Sequence, residues 1–134
     1  NSKDDFLKES IENNLSKKRM TVKDYLGNTL NTEFYYMHPR SYNRRAIFSI
    51  EEASSTIRGV NRPIPESYTF HAADKSNNIK KVRPLTSKER SYIQTFPDEF
   101  EFSGTKSAIE QMIGNAVPVK MAEFIARHIY SNFN

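Results

Sequence analysis

Arg83-Pro84-Leu85-Thr86-Ser87-Lys88-Glu89-Arg90, continued by Ile93-Gln94-Thr95-Phe96-Pro97, is the stretch whose reading decides the fold. Thr86 with Glu89 three residues on is a capping box: each side chain satisfies the other residue's free amide, and a helix starts. Tyr92 and Ile93 continue that helix, and Pro97 is expected to end it. Arg83, Glu89 and Arg90 ring its start, and we expect them to organise a domain hinge by ion pairs rather than do chemistry. Downstream lies Gln111-Met112-Ile113-Gly114-Asn115-Ala116-Val117-Pro118. A second short helix is expected around 105–112, with Gly114 breaking the chain and Pro118 starting a last helix. In that helix Met121, Phe124, Ile125 and Ile129 recur on one face. A Gly-Asn-Ala-Val-Pro turn by itself reads as a tight loop before a helix, whose free N–H groups can face a carboxylate or phosphate.

Upstream the character changes. Leu7, Ile11 and Leu15 stand at four-residue spacing in a polar stretch, the pattern of a short amphipathic helix that packs. Thr21 and Asp24 form a second capping box with Asp in place of Glu, Val22, Tyr25 and Leu26 give an apolar face, and Gly27 stops the turn. No second periodic helix follows at the distance a helix-turn-helix requires. Over 28–82, Tyr35, Tyr36, Ile47, Phe48, Ile50 and Ile57 lie in β-prone runs broken by Pro39, Gly59, Pro63 and Pro65. This is a region of short strands and long loops, and such loops carry binding more often than packing. Residues 73–82 read as a polar surface turn. The fold class is α+β: a small irregular β/loop region, 20–82, between an N-terminal helical or linker segment, 1–19, and a C-terminal helical segment, 83–134.

The loops hold a basic constellation: His38, Arg40, Arg44, Arg45, Arg58 and Arg62, with Ser41, Asn43, Ser54, Ser55, Thr56 and Asn61 between them. Glu51 and Glu52 oppose it, and Tyr35, Tyr36 and Tyr42 lie close by. Arg forks onto guanine or phosphate, while Asn, Ser and Thr supply adaptable hydrogen bonds. The residues fit a DNA-reading surface and equally a solvated basic surface.

Composition bounds the rest. The net charge of +4 and pI near 9.3 favour an anionic partner. The 37% hydrophobic content excludes a disordered composition. No cysteine is present, which removes disulfides, thiolate metal sites and cysteine nucleophiles. No apolar run reaches the ~18 residues of a membrane helix, and no signal peptide is visible, so a cytoplasmic protein without membrane contact is expected. Asn1 is too large for ordinary removal of an initiator Met to expose it, so upstream residues are expected. Ser103 and Lys106 match S-x-x-K without its partner motifs. His38, His71 and His128 lack metal-ligand spacing, so no metal is expected, and His128 reads as a surface residue. Asn14-Leu15-Ser16 fits a glycosylation triplet, with nothing indicating secretion.

The Arg83–Pro97 and Gln111–Pro118 constellations, in this order and about twenty residues apart, resemble the two C-terminal signature motifs of C5-cytosine DNA methyltransferases, numbered IX and X. Lys88 stands where Arg is commoner. Ser55-Thr56-Ile57-Arg58-Gly59 is similar to the Thr-Leu/Ile element of that family's target recognition domain, and Thr21-Val22-Lys23-Asp24 to the segment leading into it. The resemblance covers about residues 20–131, most specifically 83–118.

The resemblance implies a two-lobed enzyme. A Rossmann-like lobe holds S-adenosyl-L-methionine and the catalytic residues, and a small lobe reads double-stranded DNA from the major groove. The target cytosine is flipped out of the duplex. A Cys thiolate adds at C6, a Glu hydrogen-bonds N3, and C5 takes the methyl group. The C-terminal helices return the chain to the large lobe. By carry-over, Asn115, Ala116 and Val117 lie near the cofactor, and Thr56, Ile57, Arg58 and Gly59 belong to the target-reading surface, with Arg40, Arg44, Arg45, Asn61 and Arg62 beside them.

This sequence departs from the pattern where the chemistry lies. It has no Pro-Cys, no Glu-Asn-Val element and no Gly-rich cofactor loop, so it supplies no catalytic residue and is expected to be inactive alone. Its partner would be an N-terminal catalytic lobe, in the same chain or as a separate subunit. Three readings stay open: the C-terminal portion of a single-chain methyltransferase, the small subunit of a split one, or a non-catalytic sequence-specific DNA-binding module. Without the large lobe, the apolar face of the last helix is expected to drive self-association or to pack on the recognition region.

Overall fold

The computed structural model describes residues 2–41 and 43–133. Its elements are α1 (Ser2–Asn13), α2 (Val22–Leu26), β1 (Phe34–Tyr36), β2 (Ile47–Ser49), β3 (Val82–Pro84), α3 (Ser87–Ile93), α4 (Lys106–Asn115) and α5 (Val119–Phe133). A single 3₁₀ turn, Ile79–Lys81, leads into β3. The architecture is α+β: a small mixed sheet carrying long loops, followed by C-terminal helices.

Both capping boxes form. The Thr21 hydroxyl accepts from the Asp24 amide at 3.0 Å, and the Asp24 carboxylate accepts from the Thr21 amide at 3.0 Å. Gly27 closes α2 at φ +57°, a backbone conformation open to glycine at little cost. The Val22 and Lys23 amides donate to the carbonyls of Glu52 and Ile50, fastening α2 to the end of β2.

The sheet order is β2-β1-β3, with β1 antiparallel to β2 and parallel to β3. A parallel neighbour requires a long crossover, supplied here by the chain between β1 and β3. The period-two alternation of β1 sends its tyrosines to opposite faces. Tyr35 packs with Val22, Leu30, Phe48, Ile50 and Leu85, and Tyr36 with Ala46, Ile47 and Val82. Tyr35 stacks on Phe48 at 5.8 Å, and Tyr36 meets Tyr68 edge-on at 5.7 Å. Ile57, expected in a β-prone run, is buried from a loop instead. The sequence boundary at 82/83 falls inside β3.

Residues 73–82 are largely exposed, as a surface turn should be, but they also do something a surface turn need not. The Asp74 carboxylate accepts from the amides of Ala46 (2.9 Å), Ile47 (3.0 Å) and His71 (2.9 Å) and from the Tyr68 hydroxyl (2.6 Å). The first two are the entry to β2, so this acid fixes where that strand begins.

Helix α1 forms over the expected stretch and lies against α5. Ile11 is half-buried, Leu15 lies past the helix end and is exposed, and the Leu7 side chain lies outside the described residues. On α5, Met121 and Ile129 are 55% and 45% exposed, while Phe124 and Ile125 are half-buried. Its first turn meets α2, with the Lys120 ammonium 4.9 Å from the Tyr25 ring centre. His128 is half-buried against the Phe124 ring rather than fully on the surface.

Two expectations about chain breaks need correction. Helix α3 ends at Ile93, before Pro97: Thr95 turns at φ +60° and terminates it. Gly114 does not break the chain, because α4 runs through it to Asn115. Its missing side chain serves packing. A Cβ on Gly114 would sit 2.1 Å from the Gly59 nitrogen, 2.2 Å from the Arg58 carbonyl carbon and 2.6 Å from Gly59 Cα. Helix α4 therefore touches the 58–59 backbone directly, and only glycine permits it.

Helix propensity alone would have Gly114→Ala stabilise α4 by about 1 kcal/mol; the backbone contact reverses the sign, and thermal or urea unfolding should show a loss of about 1–3 kcal/mol or more. Gly59→Ala, whose Cβ would meet Gln111 Cα at 3.3 Å, should cost less. Burial opposes ionisation of Asp74, but its bonds from Tyr68, Ile47, His71 and Ala46 outweigh burial and hold the carboxyl below its ordinary value. A depressed folded value means stability that is present above the ordinary carboxylate range and is lost as pH falls through the folded value. Asp74→Ala should cost about 1.5–3 kcal/mol at neutral pH, and unfolding measured across acid pH should show the gap from the unsubstituted chain closing as pH falls.

Candidate nucleic-acid interface

The loop after β2, which carries Arg58 and Arg62, is held by one buried ion pair. Arg90 and Glu110 are each 3% exposed. The Arg90 guanidinium donates to the Glu110 carboxylate and to the Arg58 carbonyl. Glu110 also accepts from the Ser87 hydroxyl at 2.7 Å and the Asn61 amide at 3.0 Å, and Asn61 donates further to the Leu85 carbonyl at 2.8 Å. A buried pair is tolerable when its remaining donors and lone pairs are satisfied, and these partners do so. Burial first, then the Arg58 guanidinium, lowers the Arg90 pKa to about 10, so the group stays cationic at neutral pH.

A second pair supports the start of α3. Arg83 grips Glu89 through two bonds of 2.6 and 2.8 Å and donates to the Leu30 carbonyl. Burial works against the Glu89 charge, but the Arg83 and Thr86 hydrogen bonds prevail and hold the carboxyl below its ordinary value. Arg83, Glu89 and Arg90 thus form the ion pairs expected of them, among structural groups.

The expected DNA-reading residues divide into two sets. Five are engaged by the protein itself. Arg45 forks onto Glu52 at 2.9 and 3.1 Å and lies 4.4 Å over the Phe48 ring. Arg58 donates to the His38 carbonyl, Ile57 is buried, Asn61 belongs to the Glu110 network, and Gly59 touches α4. The others, Arg40, Arg44, Thr56 and Arg62, are exposed, and the three arginines make no ion pair among the described residues. His38, beside them, is held below its ordinary value by burial first and then by Arg62 and Arg58. Tyr42 lies outside the described residues.

The turn expected near the cofactor is held equally firmly. Gln94 donates to the carbonyls of Ile113 (2.8 Å) and Ala116 (3.0 Å), while its own carbonyl accepts from the Val119 amide at 3.1 Å. The Thr95 hydroxyl accepts from the Lys120 amide at 2.9 Å. The end of α3 therefore caps the start of α5, meeting two of its free amides. Asn115 is exposed, Ala116 half-buried and Val117 59% exposed. The turn is rigid on its inner side and open on its outer side.

Sequence reasoning missed Glu110, Gln94 and Thr95 as organising residues. A signal existed for Glu110: an acid three residues before Ile113 falls on the apolar side of its helix, where only a buried cation makes it tolerable. Gln94 and Thr95 carried no such signal, since their partners lie about twenty residues away in sequence. The arrangement presents a firmly held basic loop and an open turn, with no thiol among its residues.

Comparison with known proteins identifies the lineage. The family model for C-5 cytosine-specific DNA methylase matches residues 2–131. The chain is 63% identical over 130 residues to the Type II methyltransferase M.HindV of Haemophilus influenzae, covering 96% of this chain and 43% of that protein. It is 56% identical over 124 residues to the Type II methyltransferase M.HgiDI of Herpetosiphon aurantiacus, covering 92% and 40%. It thus spans about two fifths of the length of these relatives. No solved structure matches it. Among the described residues no helix is long and apolar enough to cross a membrane. With both signature constellations present in order, assembled on one buried ion pair and matched by the family model over nearly the whole chain, this chain belongs to the C-5 cytosine-specific DNA methylase family.

Proposed function

We propose that this chain is the DNA-recognition portion of a DNA (cytosine-5)-methyltransferase that methylates C5 of a cytosine within a specific duplex site. The observation that carries the reading is the division of labour among the arginines. Arg45, Arg58 and Arg90 are engaged within the protein, while Arg40 and Arg44 stand exposed on the β1–β2 loop and Arg62 on the loop after β2, the two loops being tied by the Arg58–His38 bond. Exposed guanidinium groups on a firmly held backbone suit duplex contacts, because the docking geometry is set before binding. Thr56, exposed at the start of the Ile57–Gly59 segment, belongs to the same surface.

Methyl transfer to C5 needs a thiolate to add at C6, and this chain has no cysteine. The nucleophile would come from a catalytic lobe, joined or separate. S-adenosyl-L-methionine, when bound there, supplies the methyl group. The Asn115–Val117 turn fits a contribution to the wall of that site, being open outward and pinned inward by Gln94. The half-exposed Phe124 and Ile125 and the exposed Met121 and Ile129 of α5 suit contact with the same lobe.

The test is transfer of labelled methyl to duplex DNA. One sample holds this chain alone. The other adds the part of the Haemophilus influenzae relative that this chain does not match, as a separate folded polypeptide. Activity confined to the mixture is the expected outcome. Activity in the lone chain would overturn the argument from the missing thiol, and sequence-specific duplex binding with no transfer in the mixture would identify a binding module instead.

A further inference from the structure

Between the Gly59–Arg62 loop and α4 lies a cleft of about 350 Å³. Its rim carries Arg62, Lys106, Ser107 and Gln111, all exposed. The acid among its lining residues, Glu110, is already bound by Arg90, Asn61 and Ser87, so it does not answer the rim charges. The cleft therefore offers two exposed cations together with hydroxyl and amide donors. That chemistry suits a phosphate diester: cations for the charge and neutral donors for its oxygens.

We propose that this cleft holds a backbone phosphate of duplex DNA, with Arg62 and Lys106 as its cations and Ser107 and Gln111 as hydrogen-bond donors. The proposal rests on the reading of this chain as DNA-contacting, and it adds to the contact surface residues of the C-terminal segment that the sequence allots to the return toward the cofactor. One observation favours a polymer over a small free anion: one wall of the cleft is the Gly59–Arg62 segment, which continues from the loop carrying Thr56. The direct contact of Gly59 and Gly114 fixes the two walls at constant separation. A phosphate held there would set the register of the loop on the duplex and carry no sequence information itself.

The test is fluorescence anisotropy of this chain on a labelled mixed-sequence duplex over a range of salt concentrations. Each phosphate contact contributes about 0.9 to the slope of log affinity against log salt. Lys106→Gln and Arg62→Gln should each flatten the slope by about that amount, and Lys106→Arg should restore it. Thermal melting should show both Gln variants folded. If Lys106→Gln leaves the slope unchanged while Arg44→Gln flattens it, the recognition reading stands and the cleft proposal falls. If Lys106→Gln weakens binding of inorganic phosphate alone and not of the duplex, the cleft takes a free anion and the proposal again falls. If the unsubstituted chain shows no salt-dependent duplex binding, both readings fall.

Discussion

The buried pair of Arg90 and Glu110 is the interaction on which the rest of the molecule depends. Each charge alone would be costly so far from water, and together they draw in Asn61, Ser87, the Arg58 carbonyl and, through Asn61, the Leu85 carbonyl. Those groups come from the basic loop, from the β3–α3 junction and from α3 itself. One ion pair thereby gathers two separate stretches of chain, 58–61 and 85–90, around the side of α4. The Gly59–Gly114 approach completes the joint, since backbone meets backbone with no side chain between.

This joint orders a region that has little regular structure of its own. The strands are three residues each, and long loops connect them. A loop of that kind would normally lose entropy on binding a rigid partner. Here the ordering has been done on folding: Asp74 fixes the entry to β2, Arg45 lies on Phe48, and Arg58 is tied at both its guanidinium and its carbonyl. The exposed arginines then stand on a prepared backbone. The same economy appears at the other end, where Gln94 and Thr95 close α3 and cap α5 at once.

Much of the fold was legible in the sequence because it is written locally. The Thr21–Asp24 and Thr86–Glu89 boxes, Gly27 and the β-prone runs around Tyr35–Tyr36 and Ile47–Phe48 all depend on residues a few positions apart. What was not legible depends on distant partners. Gly114 reads locally as a break, and only the neighbouring 58–59 backbone shows it to be a packing residue. The partners of Arg45 and Arg58 within the chain, Glu52 and the His38 carbonyl, were likewise not legible, because an arginine looks alike in sequence whatever it bonds. The family was legible from two ordered constellations, and the comparisons show it directly.

The loop after β2 and α4 are energetically one unit, joined through Glu110. A double-mutant cycle tests it most directly: unfolding free energies of Asn61→Ala, Glu110→Ala and the double variant. The expected coupling is about 0.5–3 kcal/mol, the double costing less than the sum of the singles. Additivity within about 0.3–0.5 kcal/mol would contradict it, showing that the loop and the helix are held independently.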